Sequence, residues 1–126
     1  MYKAAIQAAT ENDTVYGTLF DGGWPGAPQR ALVNSTVKAW RAAGSPPSGH
    51  RPGEGDIVGK LADGTCIPRY HEYPPDRSLA EGDPELMCLY AGQSVGLVHE
   101  IDADAGALIE SIEAQAIQVL KRLGPA

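Results

Sequence analysis

Apolar residues at helical spacing open the chain. Tyr2, Ala5, Ile6 and Ala9 lie three or four positions apart, which predicts a short helix within the first ten residues. No capping residue precedes it, so the segment is typical of a helix that continues from upstream. The sequence therefore predicts a missing preceding part.

The clearest element lies near the other end, from about residue 104 to 123. Its apolar positions alternate at spacings of three and four: Ile109, Ile112, Ala116, Val119 and Leu123. Asp102 or Asp104 is placed to cap its start, and Gly124-Pro125 to end it. The pattern predicts a long amphipathic helix that needs a partner for its apolar face.

The first half of the chain between these helices alternates short elements with turns. Residues 14–20 are β-branched and aromatic, which predicts a strand, and a Gly- and Pro-rich loop follows over 21–28. A helix is predicted over residues 35–43, capped by Asn34 or Ser35 and stopped by Gly44. Residues 45–55 have the composition of a linker-like loop.

A small hairpin is predicted at about residues 56–69, turning at Asp63-Gly64, and an irregular stretch over 70–82. Asp83 and Pro84 then predict a helix that breaks at Ala91-Gly92. The predicted fold class is loop-rich α+β, with short helices, one hairpin and a long C-terminal helix. We divide it at residue 82, before the predicted helix start.

Composition predicts a thin core. Only about a fifth of the 126 residues are Leu, Ile, Val or Phe, a level at which disorder competes with folding, and 15 Gly and 10 Pro favour turns. A net charge of −6 argues against binding to nucleic acid or an anionic membrane surface. No apolar run is long enough for a membrane span or an export signal, so we expect a cytoplasmic location.

The usual site motifs are absent or misplaced. Cys66 and Cys88 are expected to be buried thiols without a disulfide, and a zinc site from these two and His71 lacks ligand spacing, so no metal is expected. The histidines are expected at the surface.

The glycines of residues 53–59 precede a strand, whereas a dinucleotide site needs them after one, and no Gly-x-Ser-x-Gly nucleophile turn occurs.

Residues 90–98 form the candidate site. Gly92 and Gly96 bracket polar Gln93 and Ser94, so the backbone can approach a ligand closely, and the Gln93 amide can both donate and accept hydrogen bonds. The alternative is a tight connection between helices that needs glycine only for packing.

Several segments together resemble the C-terminal part of the nitronate monooxygenase family, FMN-dependent enzymes similar to 2-nitropropane dioxygenase. They are residues 90–98 with the preceding Gly82-Asp83 and the following long helix, residues 2–5, 13–16 and 20–25, and the pair Arg30 and Asn34. The resemblance covers nearly the whole chain.

The resemblance implies a piece of a TIM barrel whose FMN-binding strands and catalytic histidine lie upstream. Residues 1–82 would then be the substrate-covering subdomain, and residues 83–126 the active-site loop and closing helix. Tyr90, Gly92, Gln93 and Ser94 would line the flavin and substrate pocket. The parent reaction would be oxidation of an alkyl nitronate by dioxygen to a carbonyl compound and nitrite. The chain alone would hold no FMN, contain no catalytic residue and be inactive.

Two other functions fit the same sequence. The chain could be a free-standing acidic interaction module whose last helix docks on a partner protein. It could also belong to a flavin barrel that catalyses another reaction, such as enoyl reduction with a nicotinamide.

Overall fold

The computed structural model describes residues 2–99 and 104–124. Within them the fold is mixed α+β, with three α-helices and two small antiparallel sheets: α1 (Tyr2–Ala8), β1 (Thr14–Gly17), β2 (Gln29–Leu32), α2 (Ser35–Ala42), β3 (Ile57–Leu61), β4 (Cys66–Pro68), β5 (Leu79–Gly82) and α3 (Ala105–Leu123). Short 3₁₀ turns lie at Glu11–Asp13, Pro84–Leu86 and Gln93–Leu97.

The locally encoded elements are confirmed. Asn34 caps α2 by accepting a hydrogen bond from the Val37 amide, and Asp104 caps α3 by accepting from the amides of Gly106 and Ala107. Strands β3 and β4 form the predicted hairpin around Asp63-Gly64. The alternative cap Asp102 and the predicted stop at Pro125 lie outside the described residues.

Two strands were missed because their partners are distant in sequence. The predicted strand ends early, at Gly17, and pairs with β2, which no local pattern predicts. The stretch predicted as irregular ends in β5, which pairs with β3 and makes that sheet three-stranded in the order β4, β3, β5. Strand β5 exposes three of its four residues, so it lacks the alternation that marks a half-buried strand.

The helix predicted from Asp83 is wrong beyond its first turn. Asp83 caps only the 3₁₀ turn Pro84–Leu86, and the chain then runs extended through residues 87–89, which are at most 2% exposed. Beside β2, the Leu32 amide donates to the Leu89 carbonyl at 2.8 Å, and Tyr90 forms an antiparallel bridge with Ala31. A segment that is buried on both faces shows no alternation of apolar and polar residues. The capping residues therefore predicted a helix, whereas pairing with β2 makes the segment strand-like.

This extended segment joins three small apolar clusters. Met87 packs with Val58 and Ile67 below the three-stranded sheet. Cys88 packs among the residues that follow β1, and Leu89 packs against Leu32 under α1. The core is thus divided into three parts that meet at one segment.

Helix α3 has no buried residue, and its apolar stripe faces solvent. In the described part of the chain, no helix has both the length and the apolar character to span a membrane.

Candidate functional site

The first residue of the candidate loop, Tyr90, is fixed at three points. Its backbone pairs with Ala31, its carbonyl accepts a hydrogen bond from the Tyr2 hydroxyl at 2.6 Å, and its own hydroxyl donates to Gln29 Oε1 at 3.3 Å. Gln29 is 61 residues away in sequence. The loop therefore begins from a rigid point between α1 and β2.

Tyr90 and Cys88 stay neutral near pH 7. Burial raises the pKa of the Cys88 thiol to about 12, and burial together with the neighbouring Cys88 raises the pKa of the Tyr90 hydroxyl. A thiol with such a pKa is a poor nucleophile because its thiolate is scarce. Their neutral forms are therefore favoured near pH 7, and the Tyr90 hydroxyl serves as a hydrogen-bond donor to Gln29.

Only one of the two polar atoms of the Gln29 side chain has a hydrogen-bond partner. Its Oε1 accepts from Tyr90 and lies 3.9 Å from Cys88 Sγ, whereas its buried Nε2 has no hydrogen-bond partner within residues 2–99 and 104–124. A buried donor without a partner costs about 1 to 3 kcal/mol. Sequence reasoning missed Gln29, and no motif around it could have identified it.

The polar residues of the loop point outward. Gly92 precedes the 3₁₀ turn Gln93–Leu97, in which Gln93 and Ser94 are exposed. The Gln93 side chain forms no hydrogen bond within the described part of the chain, so these contacts alone do not fix its orientation. The structure thus separates the anchored Tyr90 from the exposed Gln93 and Ser94.

The loop is anchored at its far side by Val95, which is 4% exposed. Leu97, two residues further on, is 77% exposed and does not anchor the loop. The loop packs closely at Gly96, where an added Cβ would lie 3.2 Å from the Glu11 backbone nitrogen. At Gly92 the nearest atom to such a Cβ is Ser94 Oγ at 3.5 Å, an ordinary contact.

Residues 45–55 are ordered by Arg51, which corrects the linker-like interpretation. All five N–H groups of the Arg51 guanidinium are engaged: by the Leu19 carbonyl and Asp21 Oδ1, both at 2.7 Å, by Ser48 Oγ, and twice by Glu54. The guanidinium also lies 4.4 Å from the centroid of the Tyr70 ring. A buried cation that uses every donor in this way is structural and cannot bind a ligand anion.

An open cleft of about 420 Å³ lies between the segment that contains β1 and the turn of residues 45–48. Gln29 and Arg51 are among the residues that line it, together with Trp40, Pro46 and Asp21. This volume is in the range of small-molecule sites. The Tyr90 hydroxyl is hydrogen-bonded to Gln29, one of the residues that line this cleft.

The cysteines and histidines do not form a metal site. Cys88 is buried as expected, but Cys66 is exposed, which corrects its predicted burial. His50 and His99 are at the surface, whereas His71 is half-buried with its Nδ1 at 3.1 Å from Glu72 Oε2. Over residues 2–99 and 104–124, no three His, Cys, Asp or Glu side chains are grouped closely enough to hold a metal ion.

No family model, curated protein or solved structure matches this chain. The functional assignment therefore rests on its own residues.

Proposed function

We propose that the chain is the C-terminal part of an FMN-dependent nitronate monooxygenase-like oxidoreductase, covering the substrate pocket of a flavin barrel formed by the upstream part of the same protein. The observation that carries the proposal is the loop of residues 90–97. It displays Gln93 and Ser94 to the outside between two anchored residues, Tyr90 and Val95. This is the segment whose sequence resembles the pocket loop of that family.

Among the described residues, the cleft beside β1 offers no free cation for the phosphate of FMN. A flavin phosphate needs unpaired N–H donors or cations, but the cation that lines the cleft, Arg51, has every donor engaged and contacts two carboxylates. The proposal therefore places the flavin on the upstream barrel and gives this chain a covering role. The purified chain should elute from gel filtration without flavin absorbance, and one retained flavin per chain would contradict the proposal.

In the proposed enzyme Gln93 donates a hydrogen bond to a substrate oxygen. Its amide belongs to a short turn held at both sides, and its exposure leaves it available to a group supplied by the barrel. A nitronate is an anion whose charge is shared by two oxygens, so an amide N–H such as that of Gln93 has an acceptor to bind and orient.

The test begins with the coding sequence upstream of Met1. An open frame that encodes a glycine-rich βα barrel is expected, and its complete product should carry flavin, consume dioxygen and release nitrite from propane 2-nitronate. An unrelated neighbour behind a strong ribosome-binding site would overturn the proposal. A flavoprotein that instead oxidises a nicotinamide with an enoyl substrate would assign the other flavin-barrel reaction.

The loop is tested in the complete protein by Gln93→Ala, with Gln118→Ala on α3 as the matched control. Loss of one substrate hydrogen bond should reduce kcat/KM about tenfold, or about 1.4 kcal/mol, without a change in flavin content or melting temperature. Wild-type kinetics for Gln93→Ala would remove the loop from the active site.

A second candidate is an interaction module without its own catalysis, which the exposed stripe of α3 favours. The upstream coding sequence separates this candidate from the enzyme, because a module needs no barrel in the same frame.

A further inference from the structure

Strand β1 has a free edge. It pairs with β2 on one side, and the Val33 amide donates to the Asp13 carbonyl at 2.8 Å just before the strand begins. Because the backbone groups of successive residues alternate between the two sides of an antiparallel strand, those of Val15 and Gly17 also face β2. The N–H and C=O of Tyr16 therefore point to the opposite side, where they have no hydrogen-bond partner in the described part of the chain.

This edge lacks the features that protect natural edge strands. Residues 14–20 contain neither proline nor a charged residue, and Tyr16 is 62% exposed. The outer side of β2, by contrast, is already paired, since the Leu32 amide donates to the Leu89 carbonyl. The sheet can therefore accept a further strand beside β1.

The cleft of about 420 Å³ borders the same strand, because residues 15–19 line it. Val15 pairs directly with Ala31, which also lines the cleft, and directly opposite residues share one face of a sheet. Gly17, two residues further on, lies on that face as well. An added Cβ at Gly17 would meet no atom within 4 Å, so the space beside the strand is open there.

The Tyr16 ring lies on the other face, where the Arg30 guanidinium carbon is 5.4 Å from the ring centroid. Tyr16 therefore borders the cleft with its main chain. A strand added beside β1 would bond to this main chain and, since side chains alternate between the two faces, direct every second side chain into the cleft.

The walls of the cleft favour a large apolar side chain. They include Trp40, Pro46 and Pro47. Trp40 Nε1 donates to the Pro46 carbonyl at 2.9 Å, and Arg51 donates to Ser48 Oγ at 3.0 Å. These bonds hold the wall opposite β1 in place before a ligand arrives.

Acidic residues at both ends of β1 indicate a basic occupant. Glu11 and Asp13 precede the strand and Asp21 follows it, in a chain of net charge −6. A second copy added antiparallel would bring the acidic start of one strand beside the acidic end of the other, which like-charge repulsion disfavours. Of the neighbouring cations, Arg30 lies on the far face and Arg51 is bonded to carboxylates. A segment with Lys or Arg on either side of an apolar residue has the complementary charge.

We propose that the free edge of β1 binds an extended peptide segment of a partner protein, in which a large apolar side chain is flanked by basic residues. The segment adds as a strand, so the Tyr16 N–H donates to its backbone and the Tyr16 C=O accepts from it. The apolar side chain fills the cleft against Trp40, and the basic residues lie near the acidic ends of β1. This recognition needs no flavin, so it stands whether or not the complete protein oxidises nitronates.

The probe is the synthetic peptide acetyl-KTVFVTK-amide, titrated into the full chain and followed by NMR. The Tyr16 amide signal should shift saturably and gain protection from hydrogen exchange, whereas the amides of β5, an edge strand of the other sheet, should not. Absence of a saturable shift at Tyr16, or a shift of the same size at β5, would overturn the proposal.

Three modified peptides separate the sources of affinity. A copy N-methylated at its three central residues cannot donate to the Tyr16 carbonyl and should bind about tenfold more weakly. A copy with Ala in place of Phe should lose about tenfold because it leaves the cleft unfilled. A copy with Glu in place of both Lys should also bind about tenfold more weakly at low salt. Unchanged affinity of the N-methylated copy would rule out strand addition, and unchanged affinity of the Ala or Glu copy would rule out the stated side-chain chemistry.

Tyr16→Pro tests the edge from the side of the protein. It removes the N–H that faces the peptide but none that faces β2, and proline is tolerated on edge strands. It should bind the parent peptide about tenfold more weakly, whereas the control Tyr16→Thr, which keeps the amide, should stay within about threefold of the wild type. A folded Tyr16→Pro with wild-type affinity would overturn the proposal. Should Tyr16→Pro lose its dispersed spectrum, the N-methylated peptide decides the same question on the wild-type chain.

Discussion

Single residues in this chain act through contacts that lie far along the sequence. Arg51 is the strongest case, because its side chain is only 6% exposed and ties the loop of residues 45–55 to the segment after β1. Hydrogen bonds from Arg51, with further bonds from backbone amides, lower the pKa of Glu54 to about 2 from its ordinary value of 4.5. Burial by itself would lower the pKa of Arg51, but the bonds to Glu54 and Asp21 outweigh it and raise that pKa.

The Glu54 pKa predicts a pH dependence of stability. Because the folded-state pKa lies below the unfolded one, the Glu54 contribution is complete above about pH 4.5 and is lost as the pH falls through about 2. Urea midpoints measured across this range should fall less steeply for Glu54→Gln than for the wild type. Glu113→Gln, which removes an exposed carboxylate of α3, should retain the wild-type slope, and an unchanged slope in Glu54→Gln would refute the ion pair.

A second residue-scale prediction compares the two glycines of the candidate loop. Gly96→Ala brings a Cβ within 3.2 Å of the Glu11 backbone nitrogen, so overpacking should lower the free energy of unfolding by about 1 kcal/mol or more. Gly92→Ala meets only an ordinary contact at 3.5 Å and should stay within about 0.5 kcal/mol of the wild type. Urea denaturation of both variants measures the two changes in the free energy of unfolding. Equal changes would show that the loop does not pack on Glu11.

At the scale of elements, α3 is a helix whose apolar face is unused. Its stripe lies entirely at the surface, with Ile112 59% exposed, and a helix of 19 residues without packing is marginal in water. We expect this face to dock in the complete enzyme that we propose.

Ile112→Ala tests this expectation in two contexts. In the chain alone it should change stability by less than about 0.5 kcal/mol, as Gln118→Ala should, because both side chains are exposed. In the complete enzyme Ile112→Ala should cost about 2 to 5 kcal/mol and lower the melting temperature, whereas Gln118→Ala should not. Equal small effects in both contexts would mean that α3 stays solvated.

The whole molecule has a divided core that one segment holds together. Three small clusters meet at residues 87–89, and α3 adds no burial to them. Because the chain has so few large apolar side chains, the free energy gained by burying them only narrowly offsets the conformational entropy cost of folding, about 1 to 2 kcal/mol per residue.

Hydrogen exchange should therefore be strongly uneven in the isolated chain. The Leu32 amide, which bonds to the Leu89 carbonyl in the buried region, should be among the most protected, and the amides of α3 among the least. Thermal unfolding should be shallow and begin at low temperature. A sharp cooperative transition with α3 fully protected would show that the core is stronger than its composition indicates.

The sequence by itself determined the elements whose causes are local. The caps of α2 and α3, the turn at Asp63-Gly64 and the stripe of α3 depend on residues within a few positions of one another. These elements were predicted correctly for that reason. The two glycines likewise predicted a tight turn, which the structure has at Gln93–Leu97, although only Gly96 is tightly packed.

Only the tertiary structure decided β2, β5 and the extended segment of residues 87–89, because each depends on backbone partners that no nearby residue reveals. It also decided the hydrogen bond between Tyr90 and Gln29, and the order that Arg51 imposes on a loop rich in Gly and Pro. Pairings over such sequence distances are selected by burial of the whole chain, so local propensity at Asp83 was overruled when residues 87–89 entered the core.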